Sequence, residues 1–204
     1  MLIWNMLMEG KNMPEKQLQP EIIVFAGPNG SGKSTITKLA KTVGIYINAD
    51  DIKRANHCTD LEAAQMAEKL REEAVSVGKD FTFETVLSTR RNLDLLKRAK
   101  QAGYFIKCFY VLTADVEVNV MRVKTREMQG GHGVPEEKIR SRFSRAMGLI
   151  PELTEVCDIL HIYDNTVEPQ RIFKKRKTKY YCWPNNRWNK TSITELTGIL
   201  EFDN

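Results

Sequence analysis

Gly27, Pro28, Asn29, Gly30, Ser31, Gly32, Lys33 and Ser34 match the spacing G-x-x-x-x-G-K-[ST] in full. Glycines at these places let a backbone curl tightly enough for successive N–H groups to converge on phosphate oxygens. The helix expected to follow adds its positive end to the same point. Lys33 is placed to reach the β- and γ-phosphates of a nucleoside triphosphate, and the Ser34 hydroxyl to ligate Mg2+. With Thr35, which carries the motif into the helix, these residues form the candidate nucleotide-binding set. Four constrained positions recur by chance on the order of once per hundred chains of this size. The apolar run before the motif makes a bare glycine turn the weaker reading. The loop implies a bound triphosphate but does not name a reaction. No DxxG or NKxD segment accompanies it, which argues against an ordinary GTPase.

Carboxylates follow at places that suit an acceptor. Asp50 comes just after a short apolar run, where it reads either as a helix cap or as a base that takes the proton from an acceptor hydroxyl. Asp51 beside it suits a cap. Glu84 and Thr85 follow Phe81-Thr-Phe83, and Glu84 reads as a turn carboxylate, a hydrogen-bond acceptor for the phosphate acceptor's hydroxyls, or an outer-sphere magnesium partner. Arg122, Arg126, Arg140, Arg142 and Arg145 flank the glycine-rich break at 130–133. They are either the solvated sides of two helices or a lid that folds cations over transferring phosphate.

The elements that must hold these residues alternate. Glu21-Ile-Ile-Val-Phe-Ala26 is a buried strand ending at the glycine loop. A helix over 34–42, a strand at 45–47, and a helix capped by Asp60 follow, the last with Ala63, Met66, Leu70, Ala74 and Val77 on its inner face. Strands at 81–83, 104–112 and 159–163 alternate with helices around Leu93–Ala99, from Asp115 to Met128, and from Pro135 onward. This predicts an α/β, three-layer fold with a mainly parallel sheet, helices on both faces and ligands at the carboxyl ends of the strands.

Taken together, the Gly27–Ser34 loop, Ile47-Asn-Ala-Asp-Asp-Ile-Lys53, Phe83-Glu-Thr85 and the Arg122–Arg145 segment resemble the zeta-toxin family of P-loop kinases, over about 21–176. The resemblance implies a nucleotide-kinase-like fold with an arginine-bearing lid. It also implies transfer of the γ-phosphate of ATP or GTP, with Mg2+, to a hydroxyl of a small acceptor, as the family's best-known members do with UDP-N-acetylglucosamine. An antitoxin partner is implied as well. The family's base falls on Asp50, its acidic substrate-binding position on Glu84 with Thr85 next to it, and its lid arginines on Arg126 and Arg140, with Arg122 and Arg142 beside them. The chain carries Asn48-Ala-Asp50 where the toxins commonly have Asp-Gly-Asp or Asp-Asn-Asp, and Lys53 where arginine is usual.

The remaining 169–204 segment is read as a basic, aromatic hairpin and a helix packed on the 21–168 domain, whose lid spans about 122–145. Lys174-Lys-Arg-Lys177 with Tyr180, Tyr181, Trp183 and Trp188 suits either a nucleic-acid surface or a solvated edge hairpin, and the hairpin is the reading adopted. The first would make the protein a polynucleotide kinase; a nucleotide-dependent switch without transfer is a third class. Among 204 residues the net charge of +5 suits polyanions of either kind. Four scattered cysteines show no zinc spacing and suit a reducing compartment. The apolar start, Met1–Met8, is too short to span a bilayer. Residues 1–20 are expected to be a poorly ordered extension, and the cytoplasm is the expected location.

Overall fold

Seven strands form one sheet in the order β2-β3-β1-β4-β5-β6-β7. The computed structural model describes residues 19–131 and 133–203; the expected extension falls outside them except for Gln19 and Pro20. β1 (Glu21–Ala26) lies between β3 (Phe81–Thr85) and β4 (Phe105–Leu112), with β2 (Ile45–Ile47) outside β3 and β5 (Ile159–Asp164) outside β4, all parallel. β6 (Gln170–Arg176) and β7 (Lys179–Cys182) extend the sheet antiparallel. Their two-residue connection has Lys177 at φ 56°, the left-handed conformation that a tight hairpin of this kind uses.

The connections explain how the faces are covered. The chain leaves β1 through α1 (Lys33–Thr37) to reach β2, then reverses direction across the sheet. Right-handed crossovers then place α3 (Asp60–Ser76), α4 (Arg90–Gln101) and α7 (Ile150–Val156) on the opposite face. That face carries the main core, with Ile22, Val24, Phe81, Phe83, Leu93, Leu96, Ile106 and Leu160 all buried. On the other face a small cluster of Ile23, Phe25, Ile36 and Val111 packs beneath α1. The three layers are therefore unequal, and β6 and β7, joined by a hairpin, need no covering crossover.

Several local expectations shift. α1 is one and a half turns long, and Lys38–Gly44 continues without regular helix. α3 is capped by Thr59, one residue before Asp60, in a reciprocal capping box with Glu62. Its buried face is Ala63, Ala67, Arg71 and Ala74, while Met66, Leu70 and Val77 are exposed. Alanines win the inner positions because the helix lies close to the sheet, and the Arg71 guanidinium sits over the Phe83 ring. α7 has no counterpart among the expected elements; it is separated from α6 (Glu136–Gly148) by Leu149 alone. The terminal helix, α8 (Lys190–Thr197), buries Ile193 and stops before Leu200, which is exposed. Within the basic run, Lys175 is buried: its ammonium donates to the carbonyls of Thr154 (2.6 Å) and Glu155 (3.0 Å) at the end of α7. A cation there satisfies carbonyls that the helix leaves open.

Candidate active site

The glycine loop begins where β1 ends. Gly27 has φ 140°, and its amide donates to Thr85 O of β3 at 3.2 Å. A Cβ at Gly27 would lie 1.9 Å from Val111 O, and at Gly32 (φ 86°) 2.1 Å from Asn165 Nδ2. The loop is thus packed closely by backbone and short amides, and larger residues have no room.

Two asparagines fix its peptide planes. The Asn119 amide, in α5 (Val116–Met128), donates to Asn29 O at 2.6 Å, and its oxygen accepts from Thr113. The Asn165 amide, just past β5, donates to Ser31 O at 2.8 Å. In a planar trans peptide the N–H points away from the carbonyl before it. Holding the Asn29 and Ser31 carbonyls outward therefore turns the Gly30 and Gly32 amides toward the cradle. Because α1 is so short, these aimed donors, more than a helix macrodipole, define the anion site. Replacing Asn165 by Ala should leave a buried carbonyl unpaired and free the loop. ATP affinity is expected to fall about tenfold by calorimetry, with the melting temperature lowered in the same protein.

Lys33 folds back onto its own loop, donating to Gly27 O (2.7 Å) and Pro28 O (3.2 Å). Burial lowers its pKa from the ordinary lysine value to about 8, partly opposed by Glu84 and Asp50 and reinforced by Arg126. These four side chains share one electrostatic neighbourhood. Ser34 and Thr35 stand exposed at the rim, whereas Ser31 is buried.

Asp50 sits in the first turn of α2 (Ala49–Asn56), and the cap of that helix is Asn48, whose side chain accepts from the Asp50 amide at 2.8 Å. The Asp50 carboxylate is exposed and is not the capping group. Asp51 pairs with Arg54. Glu84 accepts hydrogen bonds from Thr37 (3.3 Å) and from the Tyr46 hydroxyl, whose pKa burial and this bond raise. The Thr85 hydroxyl is turned into the fold, accepting from Leu87 N (2.9 Å) and Asn92 Nδ2 (2.8 Å).

The arginines separate. Arg126 lies within electrostatic reach of Lys33, and Arg142 donates to Asn29 Oδ1 at 3.4 Å. Arg122 lies under the loop after β5, donating to Asn165 O (2.8 Å) and Thr166 O (3.1 Å). Arg140 is engaged by Glu117 (2.9 Å) and Glu136 (2.7 Å), which tie α5 to α6. Thr37, Tyr46, Asn119 and Asn165 join the site without being among the residues that the sequence singles out. Asn165 alone carries a usable signal, since Asp164-Asn-Thr166 is a polar run at a strand's carboxyl end, as the sequence around Asp50 is.

A mainly parallel sheet of this order, with a full phosphate loop after its first strand and carboxylates at the neighbouring strand ends, defines a P-loop nucleotide-binding phosphotransferase of kinase-like fold. The chain belongs to the Zeta toxin family, whose profile matches residues 5–181. An uncharacterised protein of Haemophilus influenzae is 30% identical over 132 residues, 62% of this chain and 94% of that one. A structure from the PezAT chromosomal toxin-antitoxin system of Streptococcus pneumoniae matches with a TM-score of 0.57 at 17% identity, covering 98% of this chain and 86% of its own. The AvrRxo1-ORF1:-ORF2 complex with ATP matches with a TM-score of 0.65 at 14% identity, covering 90% of this chain and 65% of the other. No described helix is long and apolar enough to cross a membrane.

Proposed function

We propose that the protein transfers the γ-phosphate of ATP to a hydroxyl of a small acceptor, with a UDP-sugar such as UDP-N-acetylglucosamine as the first candidate. The observation that carries this reading is that the carboxylates of Asp50, just past β2, and Glu84, at the end of β3, both lie within electrostatic reach of the Lys33 ammonium. Lys33 leaves the Gly27 and Pro28 carbonyls to meet the β- and γ-phosphates. Glu84, steadied by Thr37 and Tyr46, orients the acceptor, and Asp50 takes its proton as the oxygen attacks the γ-phosphorus and ADP leaves. Arg126 and Arg142 stabilise charge on the transferring group. The donor set at the rim fits Mg2+: one exposed Ser34 hydroxyl, with the remaining positions left to phosphate oxygens and water. Bound Mg2+ would neutralise charge on those oxygens. GTP is a second donor to test, and an antitoxin protein is the proposed partner, by analogy with the PezAT system.

The test is a transfer assay with γ-labelled ATP over UDP-sugars, nucleosides and oligonucleotide ends, with Lys33→Met as control. Label on a UDP-sugar supports the reading. Free phosphate alone would point to a switch, and label on an oligonucleotide end to a polynucleotide kinase.

A further inference from the structure

The face of the sheet that α1 covers at β1 is bare farther out. β4, β5, β6 and β7 present one residue each to it in a continuous row, Phe109, His161, Lys174 and Tyr181, paired strand to strand by register. Toward the carboxyl end of β5 the next row is Tyr163 and Arg171, and the Arg171 guanidinium lies 4.3 Å from the centre of the Trp183 ring. On the other side Lys107, Arg176 and Lys179 continue the pattern. All of these side chains are half-buried or exposed, and none of the positions that β4 to β7 turn to this face is a carboxylate.

Two features of this face call for an explanation. Aromatic rings on an open sheet are normally covered or replaced by polar residues. Here Phe109, stacked on Phe25 at the edge of the cluster beneath α1, stacks in turn on His161 at 5.3 Å, and farther out Tyr181 and Trp183 stack at 6.4 Å without a covering element among the described residues. The cations are also paired with rings: Lys107 sits 5.0 Å from the Phe109 ring and Lys174 5.9 Å from the Tyr181 ring. His161 is held neutral by burial and by Arg171, Lys174 and Lys107 around it, with a pKa of about 4. A second copy of the same face would bring cation against cation, which is unfavourable.

We propose that the open face of β4–β7 docks single-stranded nucleic acid. Phosphates pair with Lys107 and draw Arg171 and Lys174 off the rings of Trp183 and Tyr181, and the ring faces so released stack on bases. The basic tail by itself reads as a solvated hairpin because part of the surface, Lys107, Phe109, His161 and Tyr163, lies outside the tail. The proposal does not rest on the transfer reaction: binding is measured without nucleotide, and failure of either leaves the other standing.

The test is fluorescence anisotropy of labelled RNA and DNA 12-mers with the full chain in about 50 mM salt, repeated at rising salt. Binding that weakens steeply with salt, quenching of tryptophan fluorescence, and losses of about tenfold in Lys174→Glu and in Trp183→Ala are expected. Lys69→Glu, the same charge change on α3, should leave affinity unchanged. Circular dichroism checks that these surface variants fold. Absence of oligonucleotide binding overturns the proposal, as does binding indifferent to both variants. Equal affinity for inorganic polyphosphate with no effect of Trp183→Ala would reduce the face to an anion patch. Binding of phosphatidylserine vesicles or an acidic peptide without oligonucleotide binding would reassign it to a membrane or a protein.

Discussion

Asp50→Asn is expected to lower phosphate transfer about 1,000-fold, within the range a positioned general base contributes, while ATP affinity at pH 7 changes less than about threefold. The amide keeps the size of the side chain, and the Asn48 cap that organises α2 uses the backbone of residue 50, so the local fold is retained. Because Asp50 is exposed, stability should move by no more than about 0.5 kcal/mol. Asp50 also helps keep Lys33 protonated, so nucleotide affinity should fall further above pH 7 in the variant than in the wild type. Asp51→Asn is the control: that carboxylate is paired with Arg54, and transfer should be nearly unchanged. Equal kcat in Asp50→Asn and wild type would remove Asp50 from the role of base.

Lys33→Met should abolish transfer and yet make the nucleotide-free protein more stable at neutral pH. Burial holds the folded pKa near 8, against 10.5 for an ordinary lysine. The unfolded chain therefore binds more protons between these values, and stability rises with pH across that window. Below pH 8 the full cost of keeping the charged ammonium inside is present. A tenfold loss of proton affinity corresponds to about 1.4 kcal/mol. The residue keeps some contact with water, and the variant gives up two bonds to loop carbonyls. A net gain on the order of 1 kcal/mol at pH 7 is the expected balance. Chemical denaturation at pH 7 and near pH 10 checks it: the advantage of Lys33→Met should shrink at the higher pH. In wild type ATP should raise the melting temperature, and in the variant it should not.

Features carried by neighbouring residues are legible in the sequence, and features made by distant ones are not. The phosphate loop is one contiguous segment whose glycines are required by backbone geometry, so its place after β1 can be read directly, as can the strand ends at Asp50 and Glu84. Asn119 and Asn165 act on the same loop from far along the chain. Asn119 looks in sequence like any helix asparagine, and Asn165 is marked only by the polar run at the end of its strand. The inner face of α3 departs from its hydrophobic stripe because apolar spacing does not by itself mark contact. Close packing instead selects alanines and one arginine laid on Phe83, leaving Met66 and Leu70 outside. Lys175 shows the converse in the tail, where a run of cations hides one side chain that caps α7. The separation of Arg140 from Arg126 and Arg142 depends on which helix face meets Glu117, and spacing alone does not say.

The fold-back of Lys33 onto the Gly27 and Pro28 carbonyls makes the free site hold an internal competitor. Any ligand must draw the ammonium from two neutral acceptors, and only a charged oxygen at the β or γ position does so favourably. A nucleoside or a monophosphate is expected to leave the lysine where it is and to gain only the contacts to its base and sugar. The resting loop is therefore expected to discriminate by phosphate count, with triphosphate binding tighter than monophosphate binding by calorimetry.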